Sequence, residues 1–161
     1  MPGINAEKAL DRAMRLCSRQ EKCSSDILDK LKAWGTDETT AQKVLKTLTE
    51  KKFVDDLRYA KAYTRQQHTF RKWGRIKIRT VLNQKNIPAD FIDEALAELD
   101  EQEYRETLKA ELLKKRRSIK AKNRYDLLAR LQKFAYGRGY EPELARKVAE
   151  EIIDEDPPSF R

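Results

Sequence analysis

A helical pattern recurs three times along this chain with a period near fifty residues, and that repeat restricts the fold more than any other feature. Windows 27–48, 78–99 and 131–152 align without a gap. Each begins with an apolar residue (Ile27, Ile78, Leu131) and has another four positions on (Leu31, Leu82, Ala135). Gly35, Asn86 and Gly139 follow at one offset, and these types take the left-handed backbone that ends a helix. The second half of each window carries apolar residues at i, i+3, i+4, i+7: Ala41, Val44, Leu45, Leu48; Ile92, Ala95, Leu96, Leu99; Ala145, Val148, Ala149, Ile152. Thr36 with Asp37, Pro88 with Asp90, and Pro142 between Glu141 and Glu143 mark the starts of these second helices. Each window therefore reads as helix, tight turn, helix.

A further helix precedes each pair. Asn5 caps one through Ala9, Ala13 and Cys17; Asp55 starts one through Leu57, Ala60 and Tyr63; Asp100 with Glu103 opens one carrying Tyr104, Leu108 and Leu112. No stretch alternates as a strand would. The expected fold is all-α, with nine helices as three tandem three-helix repeats in an elongated, curved array. The boundaries read as 1–52, 53–99 and 100–155, with a frayed tail at 156–161 in which Phe160 could dock back. Trp34 and Trp73 fall at helix ends, whereas Tyr63, Phe70, Tyr104 and Phe134 have core-like spacing and read as packing residues.

Catalytic patterns are missing. The one histidine, His68, follows two glutamines and reads as a surface or partly packed residue. Cys17 and Cys23 lack a second pair for zinc and read as free thiols. Neither GxxxxGK[ST] nor GxGxxG occurs. No enzyme, metal, cofactor or small-molecule substrate is expected. The N-terminus does not read as a signal peptide, and no apolar run approaches the roughly 20 residues of a membrane span. A cytoplasmic protein that does not engage membranes follows as the expectation.

Charge supplies the positive signal. The net charge is +8, and it is segregated. Residues 90–106 hold eight acids and one base, and 141–156 hold seven acids and two bases. Residues 71–79 carry Arg71, Lys72, Arg75, Lys77 and Arg79 with no acid. Residues 114–124 carry Lys114, Lys115, Arg116, Arg117, Lys120, Lys122 and Arg124, again with no acid. Such fields suit an anionic partner such as nucleic acid, alone or coated with protein. Trp73 and Gly74 break one helix and open the next, putting Arg75, Lys77 and Arg79 at its head with Ile78 turned inward. Bases there oppose the helix dipole, and a bound phosphate or carboxylate would relieve the conflict. The other reading of both runs is a solvated face, and of the second also a helix C-terminus favourable to cations.

Phe53-Val-Asp-Asp-Leu-Arg-Tyr-Ala-Lys-Ala-Tyr63 resembles the signature that opens the middle repeat of the RecX regulators of the RecA recombinase. Lys72-Trp-Gly-Arg-Ile-Lys-Ile-Arg79, with Leu82 and Lys85-Asn-Ile87, is similar to a second family segment. Arg138-Gly-Tyr140 matches one in the third repeat, and residues 26–31 fit the first. Asn86 departs from the family's usual glycine, yet takes the same turn. The resemblance implies three three-helix repeats and a protein that binds RecA filaments on single-stranded DNA, lies along their groove, and restrains strand exchange, coprotease activity and ATP hydrolysis. The twelve bases named above are the expected RecA or DNA contacts. The alternative is a helical protein that binds nucleic acid directly, without sequence preference.

Overall fold

The computed structural model describes residues 4–159, which form nine α-helices and no strand. In chain order these are α1 (Ala6–Arg19), α2 (Ser24–Ala33), α3 (Glu38–Glu50), α4 (Asp56–Arg71), α5 (Arg75–Gln84), α6 (Ala89–Ala97), α7 (Glu101–Arg116), α8 (Arg124–Gly137) and α9 (Pro142–Glu155). Asn5, Asp37 and Asp100 cap α1, α3 and α7, accepting from the N–H groups of Lys8 (2.9 Å), Thr40 (2.7 Å) and Glu103 (2.9 Å). Each such cap contributes about 1 kcal/mol.

The first helix of each window ends in one motif. Gly35, Asn86 and Gly139 have φ of 86°, 59° and 87°. Their N–H groups donate to Lys32, Asn83 and Tyr136, while the next residues, Thr36, Ile87 and Tyr140, donate to Leu31, Leu82 and Ala135. That is the Schellman arrangement, and it explains why asparagine serves where glycine stands in the other two.

Two compact units emerge: Met1–Tyr63 with Leu82–Ala95, and Thr64–Val81 with Leu96–Arg161. The repeats and the units divide the chain differently, since α4, α5 and α6 each contribute residues to both units. In the first unit, Ala9 and Ala13 of α1, Ile27 and Leu31 of α2, and Ala41, Val44 and Leu48 of α3 form one buried cluster with Val54. The 53–63 motif organises the polar groups around it. Asp55 caps α4 by accepting from Arg58 N–H at 3.0 Å, and Asp56 accepts from Ser24 N–H at 2.7 Å, at the start of α2. Arg58 donates to the Lys52 and Phe53 carbonyls just past α3. Cys17 and Cys23 are free thiols, and Cys23 is fully buried.

Asp26 and Lys85 form a 2.8 Å ion pair in this unit, with side chains 22% and 29% exposed. Burial opposes ionisation of Asp26, but hydrogen bonds from Lys85 and Cys23 outweigh it and hold the carboxyl below its usual value. Burial likewise works against the Lys85 cation, and the Asp26 hydrogen bond and charge hold it above its usual value. Burial, reinforced by Asp26, pushes the neighbouring Tyr59 phenol up to about 12. A lowered carboxylate stabilises the fold above its unfolded value, and that stability disappears as pH falls through the folded one; a raised lysine stabilises below its unfolded value. The pair therefore contributes from about pH 4 to about pH 10. Asp26→Asn is expected to cost about 1–2 kcal/mol in urea unfolding at pH 7. The gap from the parent should narrow at pH 3.

In the second unit, Tyr104, Leu108 and Leu112 of α7, Leu127, Leu131 and Ala135 of α8, and Ala145, Val148, Ala149, Ile152 and Ile153 of α9 bury a continuous core with Tyr140. Phe70 departs from the expected packing role. Thr64 and His68 take the inward positions of α4's second half, which leaves Phe70 on the opposite side and 79% exposed. Phe160 lies outside the described residues. No described helix is long and apolar enough to cross a membrane.

Candidate nucleic-acid interface

The basic head of α5 lies in the second unit, where the segments 72–79 and 138–140 meet. Gly74 N–H donates to the Arg138 carbonyl at 2.7 Å and Ile76 N–H to the Gly139 carbonyl at 2.9 Å. Arg75 N–H donates to the Tyr104 hydroxyl at 3.0 Å. Three of the donors that a helix start leaves unpaired are thus satisfied, two of them by carbonyls just past α8. In return the Tyr140 hydroxyl donates to the Lys72 carbonyl at 2.7 Å, and Arg138 donates to the Arg71 carbonyl at 3.3 Å. Gly74 is required by this crossing rather than by an unusual φ, because a Cβ there would overlap the Gly139 carbonyl. The left-handed residue of the break is Lys72, at φ 59°.

Arg75 is held internally. Its guanidinium donates to Glu141 at 2.9 Å and Glu101 at 2.7 Å, and lies 3.9 Å from the Tyr104 ring centroid, with its side chain only 18% exposed. Glu141 also accepts from the Tyr104 hydroxyl. The external anion anticipated at this helix start has an internal counterpart: two carboxylates and two carbonyls of the chain surround these groups. Burial first, and then the Glu141 carboxylate, hold the Tyr104 phenol well above its usual range, so it remains a donor at neutral pH. Of the surface and partly packed positions open to it, His68 takes a packed one: it is buried and stacked 5.3 Å from Tyr104. Its Nδ1–H donates to the Trp73 carbonyl at 2.9 Å, while Nε2 has no hydrogen-bond partner among the described residues.

The remaining bases of 71–79 are partly engaged. Arg71 and Lys77 lie 5.3 and 4.7 Å from the Trp73 ring centroid, and Lys77 Nζ reaches the Gly137 carbonyl at 3.3 Å. Lys72 Nζ donates to the Thr69 carbonyl at 2.7 Å, and Arg79 is half-buried and also engaged. Ile78 is fully buried.

The 114–124 run occupies the end of α7, the following loop and the start of α8. Two of its arginines are tied to α9: Arg116 donates to the Ile152 and Asp156 carbonyls, and Arg124 pairs with Asp154. Lys115 is half-buried, 5.4 Å from the Phe134 ring centroid. Lys114, Arg117, Lys120 and Lys122 are exposed, and none is ion-paired to a described residue. Beside them opens a cleft of about 760 Å³ lined by Lys115, Ser118, Arg130, Lys133, Phe134 and Arg138. Arg130, Lys133 and Arg138 lie outside the two basic runs; helical spacing groups Arg130 with Lys133 on α8, but their approach to Lys115 of α7 has no sequence signal. Among the described residues, no group of three or more His, Cys, Asp or Glu could hold a metal ion.

Family models for the first, second and third three-helix domains of RecX match residues 9–48, 55–96 and 101–149. The chain belongs to the RecX family. The regulatory protein RecX of Vibrio parahaemolyticus is 33% identical over 139 residues, covering 86% of this chain and 86% of that one. RecX of Prosthecochloris aestuarii is 30% identical, covering 95% and 99%. A crystal structure of regulatory protein RecX superposes with a TM-score of 0.79 at 27% identity, covering 90% of this chain and 71% of that one. RecX from Lactobacillus salivarius, at 18% identity and a TM-score of 0.81 over 91% and 96%, shows the same fold.

Proposed function

We propose that this protein regulates RecA by binding its filaments on single-stranded DNA and restraining recombinase, coprotease and ATPase activity. The observation that carries the reading is family membership across all three helical domains, 131 matched residues in the three ranges above. The repeat boundaries at 52/53 and 99/100 belong to the same proposal. Chemistry supports it as well. Four exposed, unpaired bases and a basic cleft suit a polyanion, whereas Arg75, Arg116 and Arg124 serve internal contacts and are assigned a structural role. Arg71, Lys72, Lys77 and Arg79 are secondary contacts, because each already has a partner. Obstruction of the filament by a bound helical protein would slow both subunit addition and access by a second DNA or a client protein.

Reversing Arg117, Lys120 and Lys122 to glutamate together is expected to weaken binding to RecA–DNA filaments about tenfold or more, with helix content unchanged by circular dichroism. Unchanged filament binding would remove the 114–124 loop from the contact surface. The unpaired bases also favour direct, sequence-independent nucleic-acid binding as a second reading. Affinity for bare DNA that matches filament affinity and falls steeply with salt would select it.

A further inference from the structure

We infer that the exposed face of α8 is a track for single-stranded nucleic acid, on which bases stack against Tyr125 and Tyr136 while the strand's phosphates follow the adjoining basic cleft. Tyr125 is 81% exposed and Tyr136 is 45% exposed. They are eleven residues apart on one helix, which is three turns and about 20° more, so both leave the same side, roughly 16 Å apart along the axis. A single exposed aromatic is ordinary; two in register on one face are a repeated feature. Between them lie Ala129 and Gln132, and Gln132 Nε2 donates to the Tyr136 hydroxyl at 3.1 Å, fixing that ring's direction.

The flank of the stripe is basic. Arg130 and Lys133 on α8, and Arg138 just past its end, line the cleft together with Lys115 of α7 and Ser118 of the following loop. Its one carboxylate, Asp126, is already engaged, accepting from Lys122 N–H at 2.9 Å and pairing with Arg130 at 3.1 Å. A phosphate entering the cleft therefore meets cations and a hydroxyl, with the local negative charge compensated. Phe134 is not a third platform, because Lys115 and Arg138 already lie over its ring. Stacking tyrosines beside a cationic groove form the combination that holds single strands irrespective of sequence. Duplex DNA presents no unstacked base to such a stripe, and an acidic peptide would use the cations without needing the rings.

This inference deepens the proposed function by naming where a strand would be gripped, and its test keeps the two separable. Anisotropy of fluorescein-labelled oligo(dT) is measured on the full chain and on Tyr125→Ala, Tyr136→Ala, both together, and Tyr125→Phe, across a salt series. Loss of one stacked base is expected to weaken binding about 5- to 100-fold, with the salt slope retained. The phenylalanine variant should bind like the parent. Lys133→Ala should instead lower the salt slope by about 1. Iodouracil-substituted strand should photocross-link to the peptide containing Tyr125 or Tyr136. Parental affinity within twofold in the double alanine variant overturns the inference, as does failure of the full chain to bind oligo(dT). A poly-glutamate peptide that competes equally, with no effect of the tyrosines, overturns it too. Because Tyr125 has little packing to lose, Tyr125→Ala alone decides the matter if Tyr136→Ala disturbs folding. RecA ATPase is followed with the same variants. Inhibition that survives while the tyrosines prove irrelevant sinks the track and leaves the proposed function; a tyrosine-dependent strand grip without any effect on RecA does the reverse.

Discussion

Gly74→Ala is expected to destabilise the protein by about 3 kcal/mol or more, although Gly74 has an ordinary φ. The added methyl would meet the Gly139 carbonyl carbon and oxygen and the Tyr140 nitrogen, all of them backbone atoms. No rotamer change relieves such a clash. The start of α5 would have to withdraw, lengthening the Gly74–Arg138 and Ile76–Gly139 hydrogen bonds and leaving buried donors short of partners. Gly137→Ala, two residues from the same crossing, supplies the control: its methyl meets nothing within 4 Å. At the end of α8 it should be neutral or stabilising by up to about 1 kcal/mol. Urea unfolding of the two variants beside the parent checks both, and equal midpoints for them would contradict the crossing.

Tyr104→Ala should cost about 3–5 kcal/mol, because it empties the junction that ties α4, α5, α7 and the start of α9 together within the second unit. The ring is 1% exposed, stacks on His68 at 5.3 Å, meets the Tyr140 ring at a tilt at 5.2 Å, and lies beneath Arg75. Tyr104→Phe separates packing from polarity. It keeps the ring but removes the hydroxyl that accepts from Arg75 N–H and donates to Glu141, at an expected cost of about 1–2 kcal/mol. Since the phenol is raised in the folded state, its contribution is complete below about pH 10 and declines as pH rises further. A phenylalanine variant as unstable as the alanine one would place the energy in the hydrogen bonds instead of the packing.

The local signals were readable in the sequence because each depends on a few neighbouring residues. Helix periodicity identified the inward residues Ile78, Leu131 and Ile152, and turn chemistry identified the ends at Gly35, Asn86 and Gly139. Side-chain oxygens marked the caps at Asn5, Asp37 and Asp100. What local pattern could not reveal was the destination of groups whose partners are distant. Arg75 looked like a base awaiting an anion, because Glu141 is 66 residues away and Glu101 is 26. Gly74 looked like a simple break, because the backbone it touches belongs to the third repeat. For His68 the sequence left surface and partly packed positions open, since its stacking partner lies on α7, and Phe70 looked inward until Thr64 and His68 took that side of α4. Spacing alone does not distinguish Tyr125 from a core tyrosine; the packed neighbours of α8 do.

The same sorting divides the basic residues. Arg75, Arg116 and Arg124 should lower stability when replaced, whereas Lys114, Arg117, Lys120 and Lys122 should affect partner binding with little effect on stability.

Regulation of RecA would show first in RecA's single-stranded-DNA-dependent ATPase, titrated with this protein. A clear slowdown at ratios well below one molecule per RecA is the predicted result, because a protein acting on the filament need not match its subunits one for one. An unchanged rate at stoichiometric amounts, with binding to bare DNA intact, would contradict the claim and leave a nucleic-acid-binding protein with the family's fold.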